Sequence, residues 1–144
     1  MNLRDFFTQY SWWGKLIGAF FGEALGDTTP LFKLISKHID AALLKAIADE
    51  YSRTNRWLLV ATTNLDTGTP VIWNMGKLAQ VGTPEALVLF RKILLASAAI
   101  PGAFPPVMID VVADGKNYQE MHVDGGATMS VFLYPSALGA AARE

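Results

Sequence analysis

Residues 107–126 read VMIDVVADGKNYQEMHVDGG and contain two strand-like runs on either side of a short turn. The runs VMIDVVA and NYQEMHV are rich in strand-forming residues, and the Asp114-Gly115 pair between them is typical of a tight hairpin turn. The second run breaks off at Asp124, which two glycines follow. The stretch therefore predicts a β-hairpin that ends at an acidic residue.

Asp124, Gly125 and Gly126 have two interpretations. In the first, they end the sheet: the glycines take backbone conformations that side chains forbid, and the carboxylate caps the next element. In the second, Asp124 lies at the carboxyl edge of a strand in an α/β sheet, where such folds place their sites, and the glycines leave room for a substrate or another catalytic group. These three residues alone do not decide between the two.

Upstream of the hairpin, the sequence alternates between helical and strand-like patterns. Residues 27–30 (DTTP) and Asp40 are typical of helix starts, and each precedes a segment with helical spacing, PLFKLISKHI and AALLKAIADEYSRT. Two apolar runs predict strands. The first, RWLLVATTN, has the pattern of a strand covered on both faces, and the second is VIWNMG. The turn LDTGTP joins them. Thr83 and Pro84 open a further helix, EALVLFRKILLASAA, which IPGAFPP ends. We therefore predict a layered α/β domain.

Composition narrows the function classes. The chain has 144 residues, 51% of them hydrophobic, which suits one domain with a buried core. Its formal net charge is -1 with no basic run, so nothing indicates a nucleic-acid partner. It has no cysteine, and its two histidines, His38 and His122, lie far apart, which argues against a Cys- or His-rich metal site. We expect neither a metal nor a cofactor.

The amino end, MNLRDFFTQYSWWGKLIGAFFGEALGD, is aromatic and is interrupted by Asp5, Lys15 and Glu23. Its uncharged pieces are shorter than the roughly 20 residues of a spanning helix, and it lacks the pattern of a signal peptide. Glycine recurs at every fourth position from residue 14 to residue 26. The segment is either a close-packed part of the domain or an aromatic face for lipid or a partner. The default location is therefore the cytoplasm or the periphery of a membrane.

The segment FRKILLASAAIPGAFPPVMID, followed after the hairpin turn by YQEMHVDGGAT, resembles the patatin-like phospholipases, which are serine acyl hydrolases. The resemblance continues upstream through GDTTPLFKLISKHID and WLLVATTNLDTGTPVIWNMG and covers roughly Leu25 to Pro135. It implies a three-layer α/β/α sandwich and hydrolysis of a lipid or other ester by a Ser-Asp dyad. Asp124 matches the aspartate of the family's Asp-Gly-Gly motif, so the resemblance implies that Asp124 is the catalytic base, supported by Gly125 and Gly126.

The same family carries its nucleophile in a Gly-x-Ser-x-Gly motif. None of the six serines lies in such a motif: Ser11, Ser36, Ser52, Ser97, Ser130 and Ser136. We therefore expect residues 1–144 to be the C-terminal portion of a single patatin-like domain, incomplete at the amino end. The chain alone should then be inactive.

The segment AIPGAFPPV is suited to line an apolar acyl pocket, with Ile100, Phe104 and Val107 as its candidate wall. Burial in the core is the alternative for each of the three. His122 lies two residues before Asp124 and would share its strand face, either supporting the carboxylate or acting as an ordinary structural histidine.

Two other functions stay open. The chain could be a non-catalytic binding or self-assembly module, because missing sheet partners would leave an exposed strand edge. Alternatively, Asp110, Glu120 and Asp124 could hold a cation for phosphoryl chemistry, although the sequence has no phosphate-binding glycine loop.

Overall fold

A computed structural model describes residues 27–128 of the chain. The elements, in chain order, are α1 (Thr29–His38), α2 (Ala41–Thr54), β1 (Leu59–Asn64), β2 (Thr69–Asn74), α3 (Met75–Val81), α4 (Pro84–Ser97), β3 (Val107–Ala113), β4 (Lys116–Asp124) and a short 3₁₀ helix (Gly125–Ala127). The predicted α/β class is confirmed.

Helices α2 and α4 begin where their capping residues predict. The Asp40 side chain accepts a hydrogen bond from the Leu43 N–H at 2.8 Å and caps α2. Thr83 accepts from the Ala86 N–H at 3.2 Å, and Pro84 occupies the first turn of α4. Each cap accepts a hydrogen bond from an amide that the helix itself leaves without a partner. Because cap and amide are only three residues apart, these helix starts can be predicted from the local sequence.

The four strands form one antiparallel sheet in the order β2-β1-β4-β3. The predicted β3–β4 hairpin is confirmed. Its turn residues Asp114 and Gly115 have φ values of 51° and 72°, and two positive values are what a two-residue hairpin turn requires. Strands β2 and β3 are the edges of this sheet within residues 27–128, and the self-association expected from such an edge stays a prediction.

The sequence does not predict helix α3, because the pattern of VIWNMG is typical of a strand throughout. Met75 and Gly76 instead begin α3, which Asn74 caps by accepting from the Lys77 N–H at 3.0 Å. Gly76 is needed for packing, since a Cβ there would lie 2.5 Å from the Tyr51 ring. The predicted turn was also too long, because β2 already begins at Thr69.

The core lies between the helices and one face of the sheet. Phe90 and Ile93 of α4 are 1% and 0% exposed and pack in one cluster with Ile109 of β3. On the opposite face, Ile72 and Met108 keep more than a third of their surface exposed. One helical layer is therefore present within residues 27–128, and the second layer of the expected sandwich stays a prediction.

Several expectations lie outside the described residues. They concern the glycine-spaced aromatic amino end and Ser11, Ser130 and Ser136. Between residues 27 and 128, no helix is long and apolar enough to cross a membrane.

Candidate active site

Asp124 is the last residue of β4, and its backbone is held from two sides. β4 pairs with β1 over three residue pairs, in which Thr62 lies opposite Asp124. The Asp124 N–H donates to the Ala99 carbonyl at 2.9 Å, and the Asp124 carbonyl accepts from the Thr63 hydroxyl at 3.1 Å. The loop after α4 and strand β1 therefore fix the position of this residue together.

The Asp124 carboxylate caps the short helix that follows. Its Oδ1 accepts from the Gly126 N–H at 3.0 Å, and the residue is half-buried. No second hydrogen bond reaches this carboxylate from residues 27–128. The capping interpretation is confirmed, and it leaves acceptor capacity on the carboxylate for a proton donor.

Gly125 and Gly126 have different surroundings. Neither has a positive φ, so the prediction of backbone conformations closed to side chains is wrong. A Cβ on Gly125 would lie 2.7 Å from the Ala61 carbonyl oxygen, so this glycine makes room for β1 and not for a substrate. A Cβ on Gly126 would stand 3.5 Å from Asp124 Oδ2, which is ordinary contact, so the space at Gly126 lies beside the carboxylate.

The three residues proposed for the pocket wall lie in different surroundings. Phe104 and Val107 are 6% and 8% exposed and belong to the core cluster, so the core alternative holds for both. Ile100 is 53% exposed, and it follows Ala99, whose carbonyl binds the Asp124 amide. Ile100 therefore offers apolar surface near the candidate base.

His122 is completely buried and belongs to a hydrogen-bonded network. Its Nδ1 lies 2.9 Å from Thr62 Oγ1, and its Nε2 lies 3.0 Å from Glu120 Oε2. The Trp73 Nε1–H donates to the same Thr62 hydroxyl at 2.8 Å. The sequence points to His122 but not to Thr62, because only the strand register brings these two residues, 60 positions apart, into contact. Trp73 joins them through its hydrogen bond to Thr62.

No serine of the described segment contacts the candidate base. The hydroxyls of Ser52 and Ser97 each donate to a carbonyl of their own helix at 2.8 Å, and Ser36 Oγ is buried without a partner. None of the three is hydrogen-bonded to Asp124, so residues 27–128 contain no assembled Ser-Asp dyad.

The acidic residues considered for a cation site have separate partners. Asp110 accepts from Gln119 Nε2 at 2.8 Å and from Lys92 Nζ at 3.1 Å. The Gln119 hydrogen bond, followed by that of the Lys92 ammonium, lowers the pKa of Asp110 below its ordinary value. Across residues 27–128, no group of three His, Asp or Glu side chains could hold a metal ion. The cation alternative therefore finds no support in that range.

Three open clefts, of about 370, 460 and 530 Å³, lie largely along the helices. The largest of the three is lined by residues of α2, α3 and α4 and of the segment between α3 and α4, among them Leu44 and Leu87. Asp124 lines none of these three clefts, so they are separate from the candidate site.

Comparisons with known proteins give two findings. A family model described as patatin-like phospholipase matches residues 1–135. The chain is also 73% identical over 60 residues to the co-chaperone protein DjlA of Legionella pneumophila, a match that covers 40% of this chain and 19% of that protein. The chain thus spans less than a fifth of the length of that relative, whereas the family model covers most of the chain.

Proposed function

Because the chain belongs to the patatin-like phospholipase family, we propose that it contributes Asp124 as the base of a Ser-Asp dyad in a lipid acyl hydrolase. At the level of the family, the reaction is the hydrolysis of a lipid ester. The serine would come from a segment that this sequence does not contain, since none of its serines lies in a Gly-x-Ser-x-Gly motif. In this proposal, residues 1–144 form the C-terminal portion of one patatin-like domain.

The observation that carries the proposal is that the Asp124 carboxylate keeps free capacity to accept a hydrogen bond from residues outside 27–128. It lies at a strand end, half-buried, with one oxygen bound to the Gly126 N–H and its remaining acceptor capacity unused by residues 27–128. A serine hydroxyl is a weak nucleophile and needs a base within about 2.6 to 3.2 Å to take its proton. The serine oxygen then attacks the ester carbonyl carbon, the bond to the alcohol breaks, and the proton passes to that alcohol. Water later hydrolyses the acyl-serine.

The surroundings of Asp124 support an apolar substrate. Ile100 is 53% exposed, and the preceding carbonyl, that of Ala99, binds the Asp124 amide. Substrate pockets are mostly apolar with a few well-placed polar groups. In this proposal Ile100 is the wall residue that contacts the acyl chain, while Phe104 and Val107 support the loop from the core.

The 144-residue chain should be inactive on its own. In a well-studied serine protease, removal of the nucleophile costs about 10⁶ in turnover. The hydroxyls of Ser52 and Ser97 are held by their own helices and cannot replace a serine placed next to Asp124.

The test compares hydrolysis of a short nitrophenyl ester by this chain and by the chain extended upstream through a Gly-x-Ser-x-Gly segment. Each is prepared as wild type and as Asp124→Asn, which keeps the oxygen that caps Gly126 but cannot act as a base. We expect activity only in the extended wild type, and a loss of about 10²- to 10⁴-fold on substitution.

The matched control is Asp114→Asn, in a hairpin turn where asparagine tolerates the positive φ of 51°. This variant should keep full activity in the extended chain. Unchanged hydrolysis by extended Asp124→Asn would contradict the dyad. Hydrolysis by the 144-residue chain that Asp124→Asn abolishes would contradict its inactivity.

A further inference from the structure

The sheet consists of two hairpins with a short junction between them. β1 and β2 pair over six residue pairs and β3 and β4 over seven, whereas β1 and β4 pair over three. Asp124 belongs to the last of these three pairs, opposite Thr62. A short ladder alone holds this end weakly, because strand ends open at low free-energy cost.

A buried side-chain network crosses this junction. His122, which is 0% exposed, contacts Thr62 of the first hairpin through Nδ1 and Glu120 of its own strand through Nε2. Trp73, on the neighbouring strand β2, donates to the same Thr62 hydroxyl, and its ring centroid lies 5.7 Å from that of His122. The imidazole therefore links three of the four strands.

The two ends of the network fix two of its hydrogen bonds. The Trp73 indole N–H donates to the Thr62 hydroxyl, and His122 Nε2–H donates to the Glu120 carboxylate. The third bond joins Thr62 Oγ1 to His122 Nδ1 at 2.9 Å and closes the network. Each of the four side chains in this network has a hydrogen-bond partner, which makes such a buried network rigid.

We propose that His122 is a positioning residue for Asp124, acting through Thr62 and not through contact with the reacting atoms. The inference deepens the proposed function and rests on it for the meaning of Asp124 as a base. The His122–Thr62 bond holds the β1–β4 register at the pair that contains Asp124. The adjacent Thr63–Asp124 bond can form only while that register is kept.

The test uses two variants that each keep one side of the imidazole. Asparagine places its amide near the Nδ1 position and can keep the Thr62 contact, whereas glutamine reaches the Nε2 position and can keep the Glu120 contact. The readout, by NMR on the 144-residue chain, is amide hydrogen exchange of Leu65, whose N–H donates to the Met121 carbonyl across the junction at 2.8 Å, relative to that of Ile93 in the core of α4. This ratio separates local opening of the strand end from global stability.

We expect His122→Gln to raise the Leu65/Ile93 exchange ratio by about tenfold or more, because a buried hydrogen bond across the junction is lost. His122→Asn should change the ratio by less than about threefold. Thr62→Val and Thr62→Ser provide a second pair, in case the His122 variants fail to fold. Thr62→Val should raise the exchange ratio as His122→Gln does, and Thr62→Ser should leave it near the wild-type value. Equal ratios in both pairs would overturn the proposal.

In the extended enzyme, His122→Gln should lower kcat and leave KM nearly unchanged, with partial recovery in His122→Asn. If the exchange ratio does not rise in His122→Gln and Thr62→Val, the positioning role is contradicted, whatever the value of kcat. An exchange effect without any kcat effect, in an enzyme that Asp124→Asn still inactivates, also contradicts it. If Asp124→Asn leaves the activity of the extended enzyme unchanged, the proposed function itself is contradicted. Failure of the positioning role and failure of the proposed function therefore give different results.

Discussion

Gly125 lies where the chain leaves β4 and crosses β1, and space rather than conformation requires a glycine there. A Cβ would lie 2.7 Å from the Ala61 carbonyl oxygen and 2.9 Å from the Ala61 Cβ. Backbone atoms in a paired strand cannot move aside cheaply, so an added methyl group must displace the turn. Overpacking of this kind costs about 1–3 kcal/mol.

We therefore expect Gly125→Ala to lower the free energy of unfolding by about 1–3 kcal/mol, measured by urea denaturation with tryptophan fluorescence. Gly126→Ala is the matched control, because its Cβ would stand at least 3.5 Å from the nearest atoms. It should change stability by less than about 0.5 kcal/mol. Equal effects of the two substitutions would refute the assignment of the close contact to Gly125.

At the same scale, Asp124 shows how far single residues can be predicted. Three letters at the end of a strand offer a capping carboxylate as one of two interpretations, because the acceptor and the capped amide of Gly126 are two residues apart. They did not predict that Gly125 faces Ala61, since that contact depends on a strand more than 60 residues earlier in the chain. Contacts between neighbouring residues can be predicted from the sequence, whereas close packing between distant segments cannot.

At the scale of elements, Arg91 of α4 joins two helices. Its guanidinium donates from Nε to the Ile39 carbonyl at 2.8 Å, and from Nη2 to the carbonyls of Ile39 and Ser36 at 2.6 and 3.2 Å. These carbonyls lie at the carboxyl end of α1, where the helix has no amide partners left for them. A cation at this end also interacts favourably with the helix dipole.

We expect Arg91→Lys to lower the free energy of unfolding by about 1–3 kcal/mol, because one ammonium cannot reproduce the forked geometry and leaves a carbonyl unpaired. Arg53→Lys is the control: its side chain is 72% exposed and pairs with Glu50, an arrangement worth about 0–1 kcal/mol. Thermal unfolding of the two variants beside the wild type measures the difference. A loss in Arg53→Lys as large as in Arg91→Lys would contradict the capping role.

The elements themselves were predictable to the extent that their signals are local. The caps at Asp40 and Thr83 and the Asp114-Gly115 turn each act within three residues, and each was found from the sequence. Helix α3 was missed because it is 7 residues long and begins directly at the end of a strand. Gly76 of α3 packs against Tyr51 of another helix, and no local sequence pattern predicts that contact.

At the scale of the whole molecule, the sequence predicts the β3–β4 hairpin, two further strands joined by a turn and three of the helices, but not the order in which the strands assemble. The pairing of β1 with β4 depends on Thr62, Thr63 and Asn64 meeting residues about 60 positions later. The family resemblance, carried by two separated motifs, supplied the expectation of a common site that local patterns could not. It did not supply the Thr62–His122 network, because neither motif contains Thr62.

Stability of the whole molecule should depend on pH through carboxylates that the fold keeps charged. Asp110 joins α4 to the β3–β4 hairpin through Lys92 and Gln119. The Gln119 hydrogen bond and then Lys92 lower the pKa of Asp110, so the folded state favours the carboxylate. A lowered pKa contributes stability that is present above the unfolded pKa, about 4 for aspartate, and is lost as the pH falls through the folded pKa.

We therefore expect Asp110→Asn to be less stable than the wild type at pH 7, and the difference to disappear as the pH falls from about 5 to about 2. Urea denaturation at several pH values measures it. Gln119→Ala removes the largest cause of the lowered pKa, so its own stability should lose less on acidification than that of the wild type. A wild-type to Asp110→Asn difference that stays constant down to about pH 2 would show that the contribution of Asp110 comes from its shape and neutral hydrogen bonds and not from its charge.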